Sequence, residues 1–280
     1  MRGKMNALLM ILLIALLITS CSLKNVDTNS VVTQESEQVQ AVRKAPVINS
    51  LNKQDESQAI KSPSYSIVNE SYTDNDISIR YPHITGIDDY IKEVKINKLL
   101  KFEALVPLDD YLNSTEDYDD LSMDIDYEVS LKSENLLSVQ YKGFSYSDEA
   151  AYPLDLFYTT NVDVKYGKKL GLSNVIKLDT RFVHKLREHL AENIQDDVVK
   201  SYFLERTSSE ELLNYLNGAD SSFEISNFAF SYFTKDSLGI SLATFHGAGD
   251  HKEFELKYQD IKEFLNTENE VWKEFKGYRE

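Results

Sequence analysis

One cysteine, Cys21, stands in the whole chain. A lone thiol excludes an internal disulfide and a multi-cysteine metal site, so the folded part must stand on its apolar core. Histidine is scarce too, with 5 in 280 residues. No glycine occurs between Gly86 and Gly143, which removes an EF-hand calcium loop from the acid-rich stretch within it. A Gly-x-Ser-x-Gly elbow, a P-loop and a dinucleotide fingerprint are all missing. Aromatic residues are absent before Tyr65, and all 31 of them lie at or after it. Basic residues number 30 against 46 acidic ones, a formal net charge of −16. That sign repels nucleic acid and anionic lipid and favours basic proteins, cationic surfaces or divalent cations. It also serves solubility alone.

What is present begins with Arg2 and Lys4, then an apolar run from Ala7 to Thr19, then Ser20 and Cys21. This is the layout of a cleaved export signal over residues 1–20. Its 13 apolar residues fall short of the roughly 20 that span a bilayer core. Ile18-Thr19-Ser20-Cys21 resembles the bacterial lipobox. The resemblance implies cleavage before Cys21 and acylation of that cysteine, and two or more acyl chains anchor stably. A mature chain without Arg2 and Lys4 moves from −16 to −18. It is expected in the cell envelope, lipid-anchored and facing the extracytoplasmic side. The other reading is an ordinary signal peptide that happens to contain a cysteine.

Residues 21–63 are polar, lack aromatics and show no periodicity, which predicts a disordered tether. A folded region of about 200 residues follows, over 64–265, as one domain or as two subdomains of about 64–150 and 151–265. A tail over 266–280 closes the chain, where Trp272, Phe275 and Tyr278 recur every three residues. That spacing suits an aromatic side docked on the core or, in a second reading, partner or membrane contact.

Alternation of apolar residues predicts strands over Tyr65 to Tyr72 and Ile77 to Tyr81, the second ended by Pro82. A helix runs from about Asp88 to beyond Lys101. The strictest alternation is Met123, Ile125, Tyr127, Val129 and Leu131, with Asp124, Asp126, Glu128 and Ser130 between them. Period two sends the first set to the core and leaves Asp124, Asp126 and Glu128 outward as a row of carboxylates about 6.5 to 7 Å apart. A turn at Asn135 and strands at Leu137 to Tyr141 and Leu154 to Val164 complete an antiparallel meander. Thr180 is placed to cap a helix carrying Phe182, Val183, Leu186, Leu190 and Ile194 on one side, and another helix starts near Ser208 or Ser209 and stops at Gly218. Strands at Phe228 to Thr234, Leu238 to Phe245 and Phe254 to Lys257 precede a short helix over about Asp260 to Leu265. The fold class is α+β, antiparallel meander sheets with packed amphipathic helices.

The strings Asp76-Ile-Ser-Ile-Arg-Tyr-Pro-His-Ile-Thr-Gly86, Asn135-Leu-Leu-Ser-Val-Gln-Tyr-Lys-Gly-Phe-Ser-Tyr146, Phe157 to Ser173 and Phe254 to Leu265 resemble the paired domains of unknown function 4163 and 3298. Such domains form the extracellular part of the anti-sigma factor RsiV and the non-catalytic part of some peptidoglycan deacetylases. The resemblance implies an envelope-facing, non-catalytic binding module. It places ligand contact in two loops, around Tyr146, Tyr152 and Pro153, and around His246 and His251. The sequence departs from the family in both loops, at Ser147 to Pro153 and at His246-Gly247-Ala248, so lysozyme binding does not carry over.

The remaining candidates weigh less. His184 and His189 are five apart, about 140° around a helix, and cannot share one ion. His246, Asp250 and His251 surround Gly247 and Gly249 as a metal cluster or, more simply, a hairpin tip. The acids from Asp109 to Glu128 read as a solvated face or as a surface for a cation or basic partner. No cofactor and no metal are expected. The expected function is a tethered binding module for a basic protein or a glycan of the envelope. Its rivals are a peptidoglycan-acting enzyme using a carboxylate pair such as Asp148 with Glu149 or one within residues 109–128, and a purely structural lipoprotein.

Overall fold

The computed structural model describes residues 63–114, 120–148, 150–221 and 228–275. The signal, Cys21, almost the whole of the expected tether, Glu116, Asp117, Asp119, Glu149 and Tyr278 lie outside the described residues.

Among the described residues, nine strands form two sheets. The larger has the order β1 (Ser66–Asp74), β2 (Ile77–Thr85), β3 (Ser122–Lys132), β4 (Leu136–Tyr146), β5 (Leu154–Asp163) and β6 (Lys168–Lys169). The smaller is β7 (Ala229–Phe233), β8 (Ser237–Ala243) and β9 (His251–Lys257). The expected α+β class holds, and β3, β4 and β5 are the expected meander. One junction differs from it: β2 and β3 pair in parallel over Ile77–Ile79, joined by the crossover helix α1 (Tyr90–Ser114). Parallel neighbours need such a crossover, and 25 residues of helix supply it. Residues 64–150 and 151–265 share this sheet, because β4 and β5 pair from Leu136↔Asp163 to Ser145↔Leu154.

The chain enters β1 and turns at Asn75, whose φ of 46° suits the tight Thr73-Asp74-Asn75-Asp76 reversal. Pro82 does not end β2, which runs on to Thr85 with Pro82 opposite Asn69. Beyond Ile79 β2 has no partner on its β3 side, so a missing N–H is tolerated there. On one face of the large sheet α1 packs Ile96, Leu100, Ala104 and Leu108 against Ile79, Ile125, Val139, Tyr141 and Tyr158. Tyr158 and Tyr141 donate their hydroxyls to the Ala104 and Leu100 carbonyls at 2.7 and 3.4 Å.

The other face meets β7 through a buried polar network. Asn161 Nδ2 donates to the Ser231 carbonyl at 2.8 Å, Ser138 Oγ donates to Asn161 Oδ1 at 2.7 Å, and Phe233 N donates to Ser138 Oγ at 2.9 Å. Asp220, in the left-handed region at φ 61°, accepts from Ser231 N, Ser231 Oγ and Leu172 N. Burial pushes its carboxyl pKa up, while those hydrogen bonds oppose the shift.

A second core lies between the small sheet and the helices α2 (Leu172–Val175), α3 (Thr180–Asn193), α4 (Asp197–Ser201) and α5 (Ser209–Asn217). Phe182, Val183, Leu186 and Leu190 of α3 face Leu238, Ile240, Leu242, Phe254 and Leu256. The cap of α3 is Asp179, not Thr180, since the Asp179 carboxylate accepts from Arg181 N and Phe182 N. Ser208 caps α5 in a reciprocal box with Glu211. In place of a helix over Asp260 to Leu265 there are two single 3₁₀ turns, Tyr258–Asp260 and Lys262–Phe264. Trp272 and Phe275 join this core against Tyr258 and Phe233, and Trp272 Nε1 donates to the Val175 carbonyl at 3.0 Å.

Leu131 belongs to this second core, which corrects the expected single-faced alternation. Register shifts between Val129 and Leu131, so Val129 opposes Val139 but Leu131 opposes Ser138. The extra residue, Ser130, turns everything after it to the other face.

Candidate functional site

The two loops that the sequence singled out meet. One joins β4 to β5 over 147–153 and the other joins β8 to β9 over 244–250. Gly249 and Asp250, at φ 89° and 58°, reverse the second loop, and Thr244 N donates to the Asp250 carbonyl at 2.8 Å. The Asp250 carboxylate lies 3.0 Å from His246 Nδ1 and accepts from Asp155 N at 2.9 Å, tying the second loop to the start of β5. Tyr152 then stacks on His246, ring centroids 3.7 Å apart and 8° from parallel. Pro153 is exposed beside Tyr152. Tyr146 follows the Ser145↔Leu154 pair at the mouth of the first loop, half-buried and opposite Ser122.

His251 points inward from the rim. Its ring stacks on Phe157 at 4.9 Å, and Nε2 lies 3.8 Å from Glu253. Glu253 is itself paired with Lys142 at 3.1 Å, and its carboxyl is held below the usual range by the hydrogen bonds from His251 and Lys142 acting against its burial. His246 and Asp250 therefore converge, while His251 is engaged elsewhere. No group of three or more metal-ligating side chains occurs among the described residues. His184 sits by Glu188 and His189 by Asn193, separate surface contacts of α3.

The acidic row lies on the same face of the large sheet as Lys142. Asp124 opposes Phe144, Asp126 opposes Lys142 and Glu128 opposes Gln140, and all three acids are exposed. The row is not an unbroken line of free charge. Arg80 on β2 reaches Asp126 at 3.1 Å and Asp124 at 3.6 Å, and its hydrogen bond holds the Asp126 carboxyl below the usual range. Glu128 instead joins Glu253 and Glu255 around the Tyr232 phenol, whose pKa is pushed up by burial and then by those carboxylates.

Behind the rim, a cleft of about 840 Å³ opens between the α3–α4 link and the β8–β9 hairpin. Ile194, Val199, Phe245 and Phe254 supply apolar wall, and Asp196, Glu253 and Glu255 bring three carboxylates against His189 and Lys252. Sequence reading missed Asp196, Phe245, Glu253 and Glu255. The alternation Glu253-Phe254-Glu255-Leu256 was the available signal for two of them.

No family model matches the chain, and no curated protein matches it in sequence. Among solved structures, it is similar to a member of the DUF3298 family from Bacteroides fragilis, at 17% identity and a TM-score of 0.46, covering 76% of this chain and 96% of that one. It is also similar to a DUF3298 family protein from Pseudomonas aeruginosa, at 10% identity and a TM-score of 0.42, covering 72% of this chain and 94% of that one.

Proposed function

We propose that this chain is a bacterial lipoprotein, anchored through Cys21, whose folded region is a non-catalytic binding module for a basic protein of the envelope. The observation that carries the reading is the union of the two loops. Tyr152 on His246 makes an exposed aromatic rim, and the β8–β9 loop that holds His246 also walls a cleft rimmed by carboxylates. Rigid aromatic contact beside carboxylates suits a partner that brings lysine or arginine together with apolar side chains. No helix among the described residues is long and apolar enough to cross a membrane.

Arg80 neutralises much of Asp124 and Asp126 and Lys142 part of Glu253, so the attraction concentrates on Glu128, Glu255 and what Lys142 leaves of Glu253. The test is a binding titration of the full chain with a basic, lysozyme-like protein. Glu128→Lys, Glu253→Lys and Glu255→Lys together should weaken binding by on the order of 100-fold at low salt, at roughly 1 kcal/mol for each near-surface charge. Unchanged affinity in a folded triple variant would remove the acidic face from the site.

A further inference from the structure

The outward side of α1 is unlike the rest of this acidic chain. Helical spacing puts Ile91, Lys95, Lys98 and Phe102 on the side away from the buried Ile96, Leu100 and Ala104, with Tyr90 and Lys101 on its flank toward β1 and β2. Tyr90, Ile91 and Phe102 are 74%, 80% and 54% exposed, large apolar groups held in water with nothing of the described fold over them. No ion pair joins Lys95, Lys98 or Lys101 to a carboxylate among the described residues. Three of the carboxylates nearest in sequence are engaged by other groups, and Asp88 stays exposed ahead of the helix. Glu93 accepts from Gly86 N and Ile87 N, Asp89 accepts from Lys92 N, and Glu103 is buried against Lys169.

We propose that this face of α1 docks on an anionic bilayer surface, with the three lysines at the headgroups and Tyr90, Ile91 and Phe102 at the acyl boundary. The proposal rests on the anchored reading above, and two observations choose the occupant. The first is where the chain enters the domain. Ser64 and Tyr65 lie against Gly86, within 4 Å of where its Cβ would be, and Gly86 N is bonded to Glu93 in the first turn of α1. The segment that leads back to Cys21 therefore arrives beside Tyr90 and Ile91. The second is charge complementarity. An anionic surface attracts clustered lysines within about a Debye length of 10 Å. The carboxylates of β3 point to the opposite side of the sheet, on the order of 20 Å from the α1 lysines by helix and sheet dimensions. Net charge argues against anionic lipid for the chain as a whole, and this face is a local exception. Docking it turns the acidic face and the Tyr152–His246 rim away from the membrane, toward a partner.

The test uses the full lipidated chain carrying Phe102→Trp, with a Phe144→Trp control on the opposite face of the sheet. Vesicles of phosphatidylcholine, with or without phosphatidylglycerol, carry bromine on the acyl chains as a quencher. The native Trp272 is buried and contributes a constant background. Flotation with the neutral vesicles reads the anchor by itself, and a chain that fails to float sinks the anchored reading. Among floating chains, the docking proposal expects bromine to quench the tryptophan of Phe102→Trp but not that of Phe144→Trp, and only when phosphatidylglycerol is present. Adding Lys95→Glu, Lys98→Glu and Lys101→Glu should abolish the quenching without loss of flotation. At roughly five-fold in surface affinity for each lysine, the three account for on the order of 100-fold. Equal quenching at both positions, or none in a chain that floats, overturns the docking. Apolar contact without the lysines is the reading left if quenching persists in the triple variant, and that too overturns it.

Discussion

Two carboxyls show how placement alone separates one chemical group into different roles. Asp220 is buried between the sheets, its pKa pushed up by burial, and its oxygens hold Ser231 and Leu172 in place. Glu270 lies at the surface and is surrounded by donors, Lys165, Lys273 and the Tyr166 hydroxyl, which hold its pKa down at about 2. It thereby ties the segment leading to Trp272 to the β5–β6 turn. Its folded pKa is depressed below the unfolded value, so the stabilisation it gives is present above the ordinary glutamate range and is lost as pH falls toward 2. A carbon-detected NMR titration should find this carboxyl still ionised at pH values where other exposed glutamates are protonated. In Glu270→Gln the acid limb of the stability curve should flatten. A Glu270 titration midpoint near 4 would contradict the assignment.

At the scale of elements, the strands and helices with strong periodicity were legible. β3, α3 and α5 follow their apolar spacing, and the Ser208 and Gly218 boundaries of α5 follow ordinary cap chemistry. What escaped were features that depend on a neighbouring strand. Pro82 looked like a stop because pairing on only one side of β2 is not written in β2, and the parallel β2–β3 junction depends on where α1 returns the chain. The bulge at Ser130 is the sharpest case, because Met123 to Leu131 alternates without interruption while the ladder slips by one residue. That slip is what lets a single strand serve two cores, Met123 and Ile125 toward α1 and Leu131 toward α3. Leu131→Ala should cost about 2–5 kcal/mol, the loss of a buried leucine, measured by urea denaturation. Deleting Ser130 makes Val129 and Leu131 adjacent, which keeps Leu131 opposite Ser138 and in the second core, so the deletion should cost less than Leu131→Ala. A deletion as costly as Leu131→Ala would mean that the bulge itself, and not the facing of Leu131, holds the strand.

Across the whole folded region the charge is divided, with lysines outside α1 on one side of the large sheet and carboxylates of β3 and β9 on the other. The sequence showed the acids of β3 as a row. It did not show that Arg80 would take up two of them, or that Glu253 and Glu255 would extend the row across a sheet joined only in three dimensions. The loop residues Tyr152 and His246 are 94 positions apart in the chain, and only the pairing of β4 with β5 and of β8 with β9 brings them into a stack. Charge and stack should act on different steps of association. Long-range attraction governs encounter and is screened by salt, whereas a packed ring governs how long the complex lasts. With a basic protein partner, the Glu128→Lys, Glu253→Lys and Glu255→Lys triple should lower the association rate and remove most of its salt dependence. Tyr152→Ala should leave the association rate within about two-fold and raise the dissociation rate by on the order of 10-fold, as truncation of an interface aromatic does. Stopped-flow mixing at several salt concentrations separates the two. If Tyr152→Ala changed only the salt-dependent association, the ring would be a bystander to the acidic face, and the two loops would meet for packing alone.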